Sequence, residues 1–330
     1  MDHLLDVRDL RVYFDSRSQT QRRQSAAPLR AVDGVSFHVD SGKTLGIVGE
    51  SGCGKSVMCL SILRLVQSPP AIYAGGEILF DGQDTLKMNK VQLRALRGSR
   101  IAMVFQEPMT ALDPVFTVGQ QLCEAIRLHR KISKPEADAL ALDLLRHMRI
   151  TDARRVFSSY PFMLSGGLRQ RVMIAMALSC GPDLLIADEP TTALDVTIQS
   201  KIMALLRKLR EESGMAMILV SHDLSLVSGI VDDVMVMYSG RVCESAPVDE
   251  IVNDPLHPYT LGLIGSRPSG PQRGDRLYAI PGTVPSLKDR PDGCPFHTRC
   301  DRALKHCMTE LPPEVILPGG HMVSCWHFAD

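Results

Sequence analysis

The chain has 330 residues, of which 45% are hydrophobic and 22% are charged, a balance typical of a globular protein with one or two domains. Its 37 Lys and Arg residues equal its 37 Asp and Glu residues, which disfavours a nucleic-acid-binding protein. No apolar run reaches about 18 residues, so we predict no transmembrane helix, and the charged start MDHLLDVRDLRV lacks a signal-peptide core. We therefore expect a cytoplasmic protein, in which cysteines are more often thiols or metal ligands than disulfides.

The hydrophobic pattern alternates between strands and helices over most of the chain, which predicts a parallel α/β sheet with a helical insertion. In chain order, it predicts strands at 4–14, 32–39 and 44–48, a helix at 56–66, strands at 77–80 and 101–106, a helical region over 118–149, a helix at 170–178, a strand at 184–187, a helix at 196–211 and a strand at 215–220. We interpret 16–28 as a surface loop and 268–274 as a linker. The terminal 70 or so residues show little periodicity and need something other than a large core to hold them.

A phosphate-binding motif lies between a predicted strand and a predicted helix, where residues 49–56 read GESGCGKS. Its three glycines let the backbone turn tightly, so that N–H groups can point at phosphate oxygens. The following helix adds the partial positive charge of its N-terminus. Lys55 can reach the β- and γ-phosphates, and Ser56 can supply a Mg²⁺ ligand.

A second motif, LLIADEP over 184–190, is a buried strand that ends in two carboxylates. Asp188 is placed to hold Mg²⁺, directly or through water. Glu189 is one residue further on and can act on the γ-phosphate side as a base or as a group that orients water. Together the two motifs predict an ATPase.

The stretch LSGGLRQR over 164–171 resembles the signature sequence of ABC ATPases. Other motifs of the family occur in the same order and at similar spacing, so the resemblance covers roughly residues 4–250. They are Phe14 as the aromatic that stacks on adenine, with Tyr13 as the alternative, Gln106 as the Q-loop glutamine, Thr192–Asp195 (TALD) as the D-loop and His222 as the switch histidine.

The resemblance implies an α/β P-loop NTPase fold, the ABC nucleotide-binding domain, with a RecA-like core, an antiparallel β subdomain and a helical subdomain at about 107–165. This domain would span 1–250, and 251–330 would form a small, irregular, metal-binding extension. The catalytic residues would be Glu189, His222 and Gln106. Mg²⁺ would be held by Ser56, Gln106 and Asp188. ATP would contact Phe14, Gly49, Ser51, Gly52, Cys53, Gly54, Lys55, Ser56, Val57, Gln106 and Asp188.

The signature also implies a second ATPase subunit, similar or identical to this one. In the family the signature loop faces the P-loop of the partner, so Ser165, Gly166 and Gly167 would contact nucleotide held there, with Asp195 nearby in the D-loop. Position 168 departs from the family pattern, because Leu168 replaces the usual glutamine. The backbone cradle is unaffected by that change.

The stretches GIVGESGCGKS, FQEPMTALDPVFTVGQQL and DEPTTALDVTIQ look like the ATPases of peptide and nickel importers, the oligopeptide/dipeptide permease group. The tail, with NDPLHPYTLGLIGSRP, IPGTVPSL and GCPFHTRC, is similar to that group's C-terminal extension. Such a subunit works at the cytoplasmic face of the inner membrane with two transmembrane permease subunits and an external substrate-binding protein. A non-transport ABC ATPase and an importer of nickel chelates or glutathione stay open as alternatives.

Four cysteines cluster in the tail with the spacing C-x5-C-x6-C-x17-C, and they are Cys294, Cys300, Cys307 and Cys325. Three interpretations are open: thiols that are clustered by chance, a disulfide, and a metal site. Zinc accepts four thiolates, but its structural sites usually use tighter knuckles, whereas iron–sulfur clusters accept irregular spacing. Related permease tails are associated with a [4Fe-4S] cluster, so the resemblance favours that cofactor, with zinc as the alternative.

Overall fold

A computed structural model describes residues 3–15, 27–192, 194–266 and 279–329. The linker expected at 268–274 and most of the surface loop expected at 16–28 lie outside the described residues. The chain divides into two compact units, each described below by itself. The first comprises Met1–Val39, Thr44–Leu86 and Ser221–Asp330, and the second comprises Asp40–Lys43 and Lys87–Val220. Among the helices of the described ranges, none is long and apolar enough to cross a membrane.

The elements at the start of the first unit are β1 (Leu5–Phe14), β2 (Leu29–Val39), β3 (Thr44–Val48), α1 (Lys55–Ile62), β4 (Ala71–Phe80) and β5 (Gln83–Asp84). Four of these strands form an antiparallel sheet in the order β2, β1, β4, β5. Strand β1 alternates as the sequence predicts, with Leu5, Val7, Leu10 and Val12 buried. The sheet is the antiparallel β subdomain that the resemblance implies.

Strand β4 is longer than the predicted strand 77–80, because it continues through the pair Gly75 and Gly76. Gly76 has a φ of 88°, and a Cβ there would collide with the backbone oxygen of Asp9 on β1. The β1–β4 register shifts at this point, between Arg8 and Arg11. The glycine therefore allows a bulge within the strand instead of ending it.

The second unit contains the helical region and the parallel strands. Its elements are α2 (Lys90–Leu96), β6 (Ile101–Val104), α3 (Pro108–Ala111), α4 (Val118–His129), α5 (Lys134–His147), α6 (Ala153–Ser158), α7 (Gly166–Leu178), β7 (Leu184–Asp188), α8 (Val196–Ser213) and β8 (Ala216–Ser221). Strand β7 pairs in parallel with both β6 and β8, and all its residues are buried. The predicted parallel α/β core is confirmed here. The helical region over 118–149 forms two helices, since Ser133 and Glu136 make a capping box that starts α5.

The rest of the first unit follows β8 and continues into the C-terminal extension. Its elements are α9 (Leu224–Ser228), β9 (Asp233–Tyr238), β10 (Arg241–Pro247), α10 (Val248–Asn253), α11 (Pro258–Gly265), β11 (Val315–Ile316) and β12 (Met322–Val323). Strand β9 pairs in parallel with β3 and antiparallel with β10, and β12 joins β10 to β11. Most of the tail consists of loops and short 3-10 turns. The extension is thus attached to the rest of the first unit by the pairing of β12 with β10.

A buried carboxylate, Asp33 on β2, ties the extension to the sheet. Its side chain is 5% exposed. The hydroxyl of Tyr13 donates to its Oδ1 at 2.7 Å, and Nη2 of Arg241 donates to its Oδ2 at 2.9 Å. Nη2 of Arg290, in the extension, lies 3.2 Å from the same oxygen. Burial acts to raise the pKa of Asp33, but the tyrosine and the two arginines outweigh it and hold the pKa below its ordinary value.

Asp33→Asn is expected to lower the free energy of unfolding by about 3 kcal/mol, because it leaves the buried guanidinium of Arg290 without its counter-charge. Asp183→Asn is the matched control, since Asp183 pairs with Arg100 at a site where both side chains are nearly half exposed, and should cost less than about 1 kcal/mol. Urea denaturation of both variants and wild type measures the difference.

The Asp33→Asn effect should depend on pH in a defined direction. The folded-state pKa of Asp33 is lowered, so its stabilisation is fully present above the ordinary value of about 4 and is lost as pH falls through the folded-state pKa. The gap between wild type and Asp33→Asn should therefore narrow in acid. A gap that stays constant, or equal losses in Asp33→Asn and Asp183→Asn at neutral pH, would contradict this role of the ion pair.

Candidate functional site

The P-loop connects β3 to α1 in the first unit and surrounds the side chain of Lys55. The Nζ of Lys55 donates hydrogen bonds to the backbone oxygens of Gly49, at 2.6 Å, and Glu50, at 3.0 Å. The lysine is only 4% exposed. Gly54 directly precedes α1, so the loop leads into the positive end of that helix. A lysine and a helix N-terminus thus converge on one backbone loop, which is the arrangement needed to bind an anion.

Glycine is required at two P-loop positions for reasons of space. Gly49 has a φ of 156°, and a Cβ on it would collide with the backbone oxygen of Met237. Gly54 has a φ of 103°, and a Cβ on it would collide with the backbone oxygen of Ala31. Gly52 also has a positive φ, of 82°, but no atom lies within 4 Å of where its Cβ would be. The loop therefore lies against β2 and β9 at its two ends and is open in its middle.

The remaining residues predicted to bind ATP from the first unit differ in exposure. Ser51 is exposed, Ser56 and Val57 are half-buried, and Cys53 is buried. Burial raises the pKa of the Cys53 thiol, so this side chain is a small apolar group at neutral pH.

The adenine-stacking candidates end β1. Phe14 is its last residue and is half-buried, whereas the hydroxyl of its neighbour Tyr13 is bonded to Asp33. His222 is exposed and follows directly after β8. Of the two candidates, Tyr13 is therefore held by its hydroxyl and Phe14 is not.

In the second unit, β7 ends in the predicted pair of carboxylates. Asp188 is buried, at 3% exposure, and Glu189 is half-buried with a φ of 45°. The left-handed backbone at Glu189 is uncommon for a residue with a side chain and marks a constrained position. The Nε2 of Gln106 donates to Oε2 of Glu189 at 3.1 Å, and Oγ1 of Thr192 donates to the same oxygen at 2.9 Å. These two donors orient the carboxylate.

The signature and D-loop residues mark the starts of two helices in the second unit. Ser165 is the N-cap residue of α7, and Gly166 opens the helix; both are exposed, and Gly167 is half-buried. Asp195 is the N-cap residue of α8, where its side chain accepts a hydrogen bond from the backbone N–H of Ile198 at 2.9 Å. Ala193 of the D-loop lies outside the described residues. The exposed N-terminus of α7 is available to a ligand from another molecule.

The four clustered cysteines are all free thiols in the first unit. The backbone N–H of Cys294 donates to the oxygen of Cys307 at 2.8 Å, which joins the two ends of residues 294–307, the cysteine segment. Burial raises the pKa of Cys294 to about 11 and also raises the pKa values of Cys300 and Cys325. Among the described residues, no three of the four Sγ atoms lie within 4.8 Å of one another.

Two regions of the chain match known protein families. Residues 32–192 match the family model described as ABC transporter, and residues 243–307 match the one described as oligopeptide/dipeptide transporter, C-terminal region. A probable peptide ABC transporter ATP-binding protein, y4tR of Sinorhizobium fredii, is 48% identical over 98% of this chain and 95% of its own length. The oligopeptide transport ATP-binding protein AppD of Bacillus subtilis is 43% identical over 100% of this chain and 98% of its own length.

The chain belongs to the ABC transporter ATPase family. Among solved structures, the dimeric post-hydrolysis state of the ATP-binding cassette MJ0796, bound to ADP and Pi, is similar with a TM-score of 0.64 and 27% identity, over 74% of this chain and 98% of that one. The predicted P-loop ABC fold is thus confirmed. As an ABC transporter ATPase, the protein hydrolyses ATP and couples the reaction to transport.

Some contacts around the ABC ATPase site and the cysteines were not predicted from the sequence. Thr192 was assigned only to the D-loop, although its hydroxyl is bonded to Glu189. The hydroxyl of Tyr259 accepts a hydrogen bond from the backbone N–H of Glu50 at 2.8 Å, across 209 positions of sequence. Cys243 is buried, and burial, followed by the neighbouring Cys294, raises the pKa of its thiol. No local pattern signals such long-range contacts.

Gly54→Ala is expected to destabilise the nucleotide-free ABC ATPase by about 3 kcal/mol, because the new Cβ adds a collision with β2 to the backbone strain. Gly52→Ala is the matched control, since it has the same left-handed strain and open space around it, and should cost about 1 kcal/mol. Thermal unfolding without nucleotide measures both. Equal losses would show that the packing of the P-loop end against β2 contributes nothing.

Proposed function

We propose that the protein is the ATP-hydrolysing subunit of a binding-protein-dependent ABC importer for dipeptides and oligopeptides. The observation that carries the substrate class is the match of residues 243–307 to the C-terminal region of oligopeptide/dipeptide transporters. The names of both relatives, which align over nearly all of this chain, support the same class. The peptide itself would be bound by other subunits of the complex.

ATP would be bound at the P-loop. From the first unit, Phe14 would stack on adenine and Lys55 would leave its backbone partners, Gly49 and Glu50, to bind the β- and γ-phosphates. The other P-loop contacts would come from Ser51, Gly52, Cys53, Gly54, Ser56 and Val57. A bound Mg²⁺ ion supplies neutralisation of the phosphate charge, and the buried carboxylate of Asp188, the hydroxyl of Ser56 and the amide of Gln106 offer the oxygen ligands that Mg²⁺ prefers.

Glu189 would act on the attacking water. Its Oε2 is fixed by Gln106 and Thr192, so the orientation of the carboxylate is set before nucleotide binds. The carboxylate would accept the proton of the water as the oxygen attacks the γ-phosphorus and the bond to the β-phosphate oxygen breaks. His222 would act as the switch residue.

The active form would be a pair of ATPase subunits, similar or identical, beneath two transmembrane permease subunits. Ser165, Gly166 and Gly167 would contact nucleotide on the partner, because the start of α7 is exposed and carries the N-terminal partial charge of the helix. Asp195 would lie beside the same interface. The complex would sit at the inner membrane, with this subunit on its cytoplasmic face, and would receive substrate from an external binding protein.

Purification of the intact complex tests the assembly and the substrate class together. A tagged chain should bring down two permease subunits and an ATPase partner from solubilised membranes, and deletion of its gene should abolish uptake of labelled dipeptide or oligopeptide. Recovery with ribosomes and without permeases would overturn the transport function. Loss of nickel-chelate or glutathione uptake, with peptide uptake intact, would instead replace the substrate class.

Glu189→Gln should retain ATP binding and reduce the hydrolysis rate in the assembled complex by about 100-fold or more, because the amide cannot accept the proton of water. The closed dimer should be long-lived in this variant. Lys55→Ala provides the contrast, since it should weaken ATP binding itself. Equilibrium binding of a fluorescent ATP analogue and phosphate release measure the two effects. Normal turnover of Glu189→Gln would contradict the role of Glu189.

We also propose that Cys294, Cys300, Cys307 and Cys325 hold a [4Fe-4S] cluster that fastens the extension. Structural zinc sites accept four thiolates but usually use tighter sequence knuckles than C-x5-C-x6-C-x17-C. A four-iron cluster is larger and takes four thiolates at irregular spacing. The tail around the cysteines consists of loops and short turns with little core of its own. A cluster bonded to four cysteines would stabilise such a segment.

Anaerobic purification should yield brown protein with roughly four iron and four sulfide per chain. Cys300→Ser should lose most of both while the ATPase activity of the folded protein persists. Cys180→Ser is the matched control, because Cys180 is a half-buried thiol at the end of α7, away from the cysteine segment in sequence, and should retain the full content. One zinc per chain, and no sulfide, would replace the cluster by the alternative metal.

A further inference from the structure

The P-loop contains an acidic residue, Glu50, directly after its first glycine. Both backbone groups of Glu50 form hydrogen bonds. Its oxygen accepts from Nζ of Lys55 at 3.0 Å, and its N–H donates to the hydroxyl of Tyr259 at 2.8 Å. Its side chain is 32% exposed. A carboxylate in a loop that surrounds a triphosphate repels the ligand unless a positive group neutralises it.

The positive group is Arg299, which lies 249 positions later in the extension. Nη1 of Arg299 donates to Oε2 of Glu50 at 2.5 Å, and Nη2 donates to Oε1 at 3.0 Å, so the pair is bidentate. The side chain of Arg299 is only 4% exposed. Charge-assisted pairs of this geometry are stronger than single exposed ion pairs.

The guanidinium of Arg299 is held by further contacts besides the carboxylate. Its Nε donates to the backbone oxygen of Pro281 at 2.8 Å, and it lies 5.8 Å from the ring centre of Tyr238 and 5.9 Å from that of Phe296. The short 3-10 turn His297–Arg299 positions the arginine immediately before Cys300. Arg299 is therefore part of a fixed structure and meets the P-loop in a single geometry.

We propose that Arg299 is a positioning residue for ATP binding, which neutralises and fixes the Glu50 carboxylate of the P-loop from within the C-terminal extension. The inference rests on ATP binding at the P-loop and on no property of the transported solute. It assigns the extension a direct part in the nucleotide site. A residue that only fastened the tail would change stability and leave the ATP affinity of folded protein unaltered.

The test is equilibrium binding of a fluorescent, non-hydrolysable ATP analogue to the full-length chain. Arg299→Ala should weaken binding about tenfold, because the Glu50 charge is uncovered. Arg299→Ala combined with Glu50→Gln should bind within about threefold of wild type, since the repelling charge is then gone. Arg302→Ala is the matched control: Arg302 is an exposed arginine of the same segment, and its removal should leave the affinity unchanged.

Two further measurements keep the result interpretable. Glu50→Gln alone should bind the analogue no more weakly than wild type, and in ATPase assays Arg299→Ala should raise KM and leave kcat nearly unchanged. If thermal unfolding shows that Arg299→Ala is not folded, Arg299→Lys takes its place and should show an intermediate loss, because lysine keeps the charge but not the two-pronged geometry.

Wild-type affinity in folded Arg299→Ala, or in folded Arg299→Lys where that variant takes its place, would overturn the proposal. So would a double variant that binds no better than Arg299→Ala alone, and so would a loss of affinity in Glu50→Gln. A wild-type chain that binds no ATP analogue at all would instead contradict the ATPase function, so the two failures are distinguishable.

Discussion

A loop that binds a triphosphate must keep its backbone N–H groups directed at the ligand, so the contacts that hold the loop have to come from elsewhere. In this protein they come from the hydroxyl of Tyr259 and from Arg299, and before nucleotide binds the side chain of Lys55 holds the loop as well. The oxygen of Cys53 adds a fourth contact, since it accepts from the N–H of Gly240 at 2.8 Å. The shape of the phosphate site thus depends on the stability of the segments that carry these groups.

Two of those groups lie in the last quarter of the chain, which explains why the extension pairs with the ATPase sheet. The extension is joined to β10 through β12 and to β2 through the Arg290–Asp33 pair, both within the first unit. Short strands and a few ion pairs are a small basis for holding a segment built mainly of loops. Four thiolates sharing one cluster would constrain the same segment covalently, including the turn that ends in Arg299.

The elements of the ATPase could be predicted from sequence because each carries a local signal. Buried strands such as β7 are continuous apolar runs, and two of the three P-loop glycines fall where a Cβ would collide with neighbouring backbone. The predicted length of β4 was wrong, because a glycine pair can form a bulge within a strand as well as end one. The partners of Glu50 could not be found, since a hydrogen bond across 209 or 249 positions depends on tertiary packing and leaves no periodic pattern.

The Glu50–Arg299 pair also bears on why an acidic residue occupies the P-loop at all. A neutral residue at this position would not repel ATP and would need no partner. A carboxylate that requires a remote arginine makes tight ATP binding conditional on a folded extension, because the repulsion returns whenever the arginine is withdrawn. Under the proposal above, an ATPase whose extension is unfolded would bind ATP weakly. Transport would then be limited to subunits whose C-terminal region is complete.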